Sequence, residues 1–343
     1  MSRLRLPRFS GIWIGTAILF LVGFVVNPKT VSESSIYSML PFFAILAIAS
    51  IGQTLVVMQR GLDLSVPGAV AAAAVAFSKT ANVQDDRVLY GIVLALVVVA
   101  IAGLISGIAV TRFHVTPLVA TLAVNALLLS FTNWYSGGFP TGAPDGINQF
   151  VLTKTFGVPN LVIVAVALAL VFAFLLRATV FGRRFLAAGV NPRAARAAGV
   201  PVQRYVLGTY VVASLFYGLA GVALAAYIKT PPIYSGEAYL LGTVAAVVLG
   251  GTSLAGGVGS VIATMGGALF LSQLSAIVLG VGLPAAAQGV VQAIAIVLVV
   301  GGRNLGVLSG WLRRPSATPM PPSATAPPPG TSGAGRPPAP ESA

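Results

Sequence analysis

Few side chains in this sequence are equipped for chemistry. It contains no cysteine and one histidine, His114. That excludes a thiolate nucleophile, a disulfide framework and a multi-histidine metal site. No cluster of carboxylates makes up for them, so no acid–base or nucleophilic centre can be assembled. His114, beside Phe113 and between Arg112 and Pro117, reads as an interfacial residue. Asp63 is the acidic group placed closest to membrane depth, within Gly61-Leu62-Asp63-Leu64-Ser65-Val66-Pro67-Gly68. An ionisable group at such depth marks a functional site by default. The competing reading is that Asp63 and Ser65 cap the helix that follows. A second segment runs Gly250-Gly251-Thr252-Ser253-Leu254-Ala255-Gly256-Gly257-Val258-Gly259-Ser260. It is glycine-rich like a phosphate cradle but lacks G-x-x-x-x-G-K-[ST], and none of the four lysines follows a glycine. No nucleotide site is legible.

A third segment, 177–204, is basic and built to fold locally. It holds Gly182, Arg183, Arg184 and Gly189, then Asn191-Pro192-Arg193-Ala194-Ala195-Arg196, and Gly199. Asn191 is a helix cap with Pro192 at the first helical position, the run to Ala198 favours helix, and Gly199 stops it. The spacing predicts a short helix lying under the membrane. Two roles fit it: an anchor on anionic headgroups, or a rigid docking helix for a cytoplasmic partner.

These segments must be held by membrane helices. The chain has 343 residues, 57% hydrophobic and only 8% charged, with mean hydropathy +0.93. A soluble domain carries about 25% charged residues; lipid is the solvent that tolerates this surface. Apolar runs of crossing length lie at 11–27, 36–58, 88–110, 115–134, 158–176, 205–228, 261–280 and 285–302, and two shorter ones at 66–78 and 240–250. The first follows Arg3, Arg5 and Arg8 but has no small-x-small cleavage site after it, so it reads as an uncleaved helix. Counting every run gives an all-α polytopic protein of about ten transmembrane helices with both termini cytoplasmic. The 20 basic residues then divide fifteen inside to five outside, as the positive-inside rule requires. The net charge of +13 therefore reads as a topology signal and not as a nucleic-acid surface. Residues 1–10 form a cytoplasmic N-terminus, 11–302 the membrane domain and 303–343 a cytoplasmic Pro/Ala-rich segment expected to lack fixed structure. The external loop 135–157 is turn-rich and suits a short surface helix or hairpin. Gly61-x-x-Leu64-small and Gly251-x-x-Leu254-small resemble each other and each precedes a helix, which points to an internal repeat.

Four stretches carry a family resemblance: IGQTLVVMQRGLDLSVPGAV (51–70), VTPLVATLAVNALL (115–128), GRRFLAAGVNPRAARAAGV (182–200) and VAAVVLGGTSLAGGVGSVIATMGGAL (244–269). In order and spacing the chain resembles the permeases of ribose-, xylose- and galactoside-type ATP-binding-cassette importers over about residues 36–302. The resemblance implies a homodimeric pore, a cytoplasmic ATPase pair that binds the ATP and magnesium, and an extracytoplasmic solute-binding protein. It also makes Gly189, Asn191, Ala194, Ala195 and Gly199 part of the ATPase docking loop. Two positions depart from the family pattern: Pro67 stands where a glycine is usual, and Arg60 where a small residue is often found.

The function expected is a bacterial inner-membrane permease subunit that moves a small neutral solute, foremost a monosaccharide, by alternating access. It does no covalent chemistry and binds no cofactor itself. The alternative is an ion-coupled secondary transporter, for which Asp63 is the one candidate group. Gln53, Thr121, Asn125, Phe42 and Phe43 are candidate pathway residues. Helix–helix packing is the competing assignment for each.

Overall fold

The computed structural model describes residues 9–284, 287–294 and 297. Twelve α-helices follow in order: α1 (Gly11–Val26), α2 (Glu33–Met58), α3 (Val66–Ala81), α4 (Val88–Thr111), α5 (Pro117–Ser136), α6 (Asp145–Leu152), α7 (Asn160–Ala178), α8 (Val180–Val190), α9 (Pro192–Ala197), α10 (Val202–Ile228), α11 (Glu237–Leu249) and α12 (Val261–Gly280). Residues 287–294 are also helical. Six of the described helical segments are long and apolar enough to cross a bilayer, those of α2, α4, α5, α7, α10 and α12. Shorter apolar helices are α1, α3 and α11.

The expected runs appear with small corrections. The 11–27 run gives a helix of 16 residues. The 158–176 run starts its helix at Asn160, because Val158–Pro159 (β2) pairs antiparallel with Lys154–Thr155 (β1). The 135–157 loop holds both the short helix α6 and this hairpin. Of the 285–302 run only 287–294 and 297 are described, and 303–343 and 1–8 lie outside the described residues.

Polar contacts sort the helix ends into two sets. At one end the Met58 carbonyl, closing α2, accepts the Gly257 N–H at 2.8 Å, and Arg60 reaches the last carbonyls of α8. At the other end Asn27, after α1, donates to the Gly280 carbonyl at 2.6 Å, closing α12. There too Lys79 near the end of α3 meets the Tyr135 carbonyl near the end of α5, and Asn148 of α6 donates to Ala226 and Tyr227 near the end of α10. The arginines of 177–204 all belong to the first end.

Helix α2 is the central post. Within its most apolar stretch 83% of residues are buried, against 28% for α4, α5 and α7. Those three present wide apolar faces, with Leu104, Leu122, Leu127, Leu170 and Phe174 exposed. In water such faces would cost free energy; against lipid they do not. The core around α2, α3 and α10 is built from small residues, Ala69 to Ala74 and Ala220 to Ala226 among them. Small side chains let helices approach closely enough for dispersion and backbone contacts to hold them.

Candidate functional site

Helix α2 ends at the first of the basic and glycine-rich segments. Arg60 has φ +66°; its N–H bonds the Val57 carbonyl at 3.0 Å, and the Gly61 N–H bonds the Val56 carbonyl at 3.0 Å. This 6→1 and 5→2 pair is a Schellman stop, with Arg60 in the left-handed position that glycine usually takes. The strain there, of order 1 kcal/mol, is offset by what the side chain does. Arg60 Nε donates to the Gly189 carbonyl at 2.8 Å and its terminal nitrogen to the Val190 carbonyl. A cation on the final carbonyls of α8 satisfies acceptors that have no partner within the helix and opposes the negative end of its dipole. Gln59 adds a bond from Nε2 to the Phe185 carbonyl at 2.8 Å.

The glycine-rich loop closes on the same point. Gly257, at φ +73°, donates its N–H to Met58 and lies against Val190. Gly189 is packed so tightly on the Met58 carbonyl that a Cβ would collide with it. Ser253 and Val258 close the loop by a 2.8 Å backbone bond, and Gly259 abuts the Met58 side chain. Gly250 lies against Ala263 and Thr264 of α12, Gly251 and Gly256 take positive φ, and Thr252 is buried. Three segments distant in sequence thus meet around the last turn of α2.

From this junction projects α9. Asn191 Oδ1 accepts the N–H groups of Arg193 and Ala194, both at 3.1 Å, Pro192 opens the helix, and Gly199 follows it at φ +77°. The capping read from the sequence is therefore formed. Ala195 is buried on Ala188 and Val202, while Arg183, Arg184, Arg193, Ala194 and Arg196 are exposed. Gly182 is buried at the α7–α8 corner, where its N–H bonds Thr179 Oγ1 at 3.1 Å. Among the described residues the one ion pair is Lys229–Asp145, so these arginines have no acidic partner there.

On the other side of Arg60 the chain is non-helical from Gly61 until α3 begins, with Ser65 already in the right-handed region. Most of its polar groups are paired, while the buried Asp63 Oδ2 has no partner among the described residues. Asp63 Oδ1 accepts both the N–H (2.9 Å) and the hydroxyl (2.6 Å) of Ser65. Neither residue caps α3 in the expected manner: Ser65 makes no side-chain cap bond. Helix α5 does it instead. Thr121 Oγ1 accepts the Leu64 N–H at 2.9 Å, and Asn125 Oδ1 accepts the Gly68 N–H at 2.8 Å. Pro67 sits in the first turn and needs no partner.

The chain matches the family described as branched-chain amino acid transport system / permease component over residues 35–300. It belongs to this permease family. It is 33% identical over 293 residues to the ribose import permease protein RbsC of Bacillus subtilis (strain 168), covering 84% of this chain and 91% of that one. The Escherichia coli (strain K12) ribose import permease protein RbsC is 32% identical over 291 residues, 83% and 90% of the two chains. The autoinducer 2 import system permease protein LsrC of Enterobacter sp. (strain 638) is 31% identical over 296 residues, 84% and 85%. No solved structure matches. The permease is a multi-pass membrane protein and a transport component, not an enzyme.

The permease places the candidate pathway residues in different surroundings. Thr121 and Asn125 are occupied in holding α3. Gln53 is fully buried and accepts the Tyr217 hydroxyl at 2.9 Å, tying α2 to α10. Phe43 is in the core, and only Phe42 of this set remains substantially exposed, at 47%. The two Gly-x-x-Leu stretches adopt different backbones: residues 61–65 carry no turn, whereas Gly251 has φ +83° and Leu254 is exposed in a turn. Their likeness in sequence is not repeated in local structure. Gln59 and Arg60 are the residues that sequence reasoning passed over as site residues; the signal was a lone arginine at the end of an apolar run.

Proposed function

We propose that this permease is the membrane-spanning subunit of an ATP-binding-cassette importer for a small neutral solute, foremost a monosaccharide. The observation that carries the reading is α9: a short, capped helix with exposed arginines, braced through Arg60 and Gly189 to the end of the central helix α2. A rigid brace of this kind transmits motion, whereas an anchor on headgroups needs none. The ribose and autoinducer 2 import names of the relatives supply the solute class. ATP and magnesium belong to a cytoplasmic ATPase docked on 182–200, and the solute arrives on an extracytoplasmic binding protein.

Ten crossings in the inner membrane, with both termini cytoplasmic and two copies of the chain forming the pore, complete the proposal. Asp63 is held by Ser65, which favours a structural role over proton relay. The test is affinity purification of the tagged permease from gently solubilised native membranes, repeated with Arg193→Glu and Arg196→Glu together. A stoichiometric ATPase that disappears from the variant supports docking on α9. An ATPase absent from both preparations, with uptake persisting in ATP-free vesicles, overturns the reading in favour of ion coupling.

A further inference from the structure

A cavity of about 650 Å³ opens at the end of the permease opposite α9. It lies between α2, α11, α12, the connector that contains Lys29 and the helical residues 287–294. The volume falls inside the roughly 300–1,000 Å³ of small-molecule sites. It descends to Leu46, midway along α2, where the leucine packs on Gly242 of α11.

The lining is mostly apolar, with Met39, Leu46, Leu271 and Leu279, and its uncharged polar groups are all hydroxyls and amides. Ser35, Ser38 and Phe42 recur at helical spacing on one face of α2, and Ser272 and Ser275 do so on α12. Opposite them stand Gln288 and Gln292, four apart; Gln292 Nε2 lies 3.4 Å from Ser275 Oγ. Hydroxyls and primary amides each donate and accept. A solute hydroxyl does the same, so the two sets match in both senses. A cation would find no carboxylate here, and an anion only Lys29 on the connector. Phe42 offers an apolar ring surface, fixed edge-to-face against Tyr227 with centroids 5.1 Å apart.

We infer that this cavity is the entry-side solute site, and that it takes a small neutral polyhydroxylated solute held by the serine and glutamine side chains beside the Phe42 ring. The inference rests on the importer reading and adds to it the place and the contacts.

The permease has no cysteine, so an introduced one is the only thiol in the chain. Ser38→Cys, Ser275→Cys and, as a control on the external hairpin, Phe156→Cys are expressed with the full importer. Uptake is measured for labelled ribose, xylose, galactose and glycerol, with glutamate, lysine and leucine as contrasts. Cells are then treated with a bulky membrane-impermeant thiol reagent. The expected result is polyol uptake by the untreated importer that falls at least tenfold on modifying position 38 or 275. Modification of position 156 leaves it unchanged, and excess transported sugar slows labelling at 38 and 275 severalfold. Gln292→Leu, which needs no reagent, raises the KM for the sugar about tenfold. Polyol uptake that survives modification at 38 and 275 and is unchanged by Gln292→Leu overturns the site while leaving the importer reading intact. ATP-dependent uptake confined to a charged or apolar solute overturns the solute class. No ATP-dependent uptake of any probe overturns both.

Discussion

Arg60 carries more than its position in the sequence suggests. It accepts a left-handed backbone at the end of α2 so that its guanidinium can close the end of α8. Arg60→Gly removes the strain and the brace together, and Arg60→Ala removes only the brace. The glycine variant is expected to melt within a few degrees of wild type in detergent and the alanine variant lower, by about 1 kcal/mol. Both should lose several-fold in solute moved per ATP hydrolysed; full coupling in either would show that the brace is not a transmission element. Tyr217 is the donor to the buried Gln53, whose Nε2 has no partner. Tyr217→Phe should cost about 1–3 kcal/mol, and the double variant with Gln53→Leu should recover part of it, because two apolar groups leave nothing unpaired. Thermal unfolding of the two proteins side by side checks this.

Helix α3 is a short apolar helix beside longer ones. Its 16 residues span about 24 Å at 1.5 Å each, short of a hydrocarbon core of about 30 Å. The non-helical residues 61–65 precede it, and α5 satisfies the Leu64 and Gly68 N–H groups because lipid cannot. Both bonds join residues 57 apart, at an i, i+4 step on each partner. For α9 the decisive residue is its cap. Asn191→Ala should destabilise the helix by about 1 kcal/mol, and Asn191→Asp should restore it, since an aspartate caps equally well. The readout is ATPase retention during purification, reduced by alanine and recovered by aspartate. Gly189→Val should be more severe: a branched side chain cannot fit against the Met58 carbonyl, so α8 must move away and transport should fall to background even where the protein still inserts.

At the scale of the molecule, one buried post is surrounded by helices facing lipid. The proposed topology, with α7 crossing between them, places Ala197 and Phe156 on opposite sides of the membrane. Both are exposed, Phe156 to 99%. Ala197→Cys should react with an impermeant thiol reagent only in inside-out vesicles, and Phe156→Cys only in intact spheroplasts. Reaction of both from one side would break the alternating arrangement.

Apolar run length marked where the six bilayer-length helices lie, because the bilayer core sets one dimension for a crossing helix. The Asn191-Pro192 start and Gly199 stop of α9 were legible for a similar reason: caps are local, and each lies within a few residues of the group it satisfies. Asp63 and Ser65 looked like a cap by the same local logic, yet the donors they were expected to serve went to Thr121 and Asn125. Gln53 and Phe43 looked equally open to the pathway until packing buried them. The meeting of Arg60, Gly189 and Gly257 was not legible at all. A hydrogen bond between residues 129 apart leaves no periodic trace in sequence. The residues by themselves determined the solvent, the long apolar helices and the local caps; which polar group satisfies which was decided by tertiary packing, since a buried donor takes whatever acceptor the fold brings within about 3 Å.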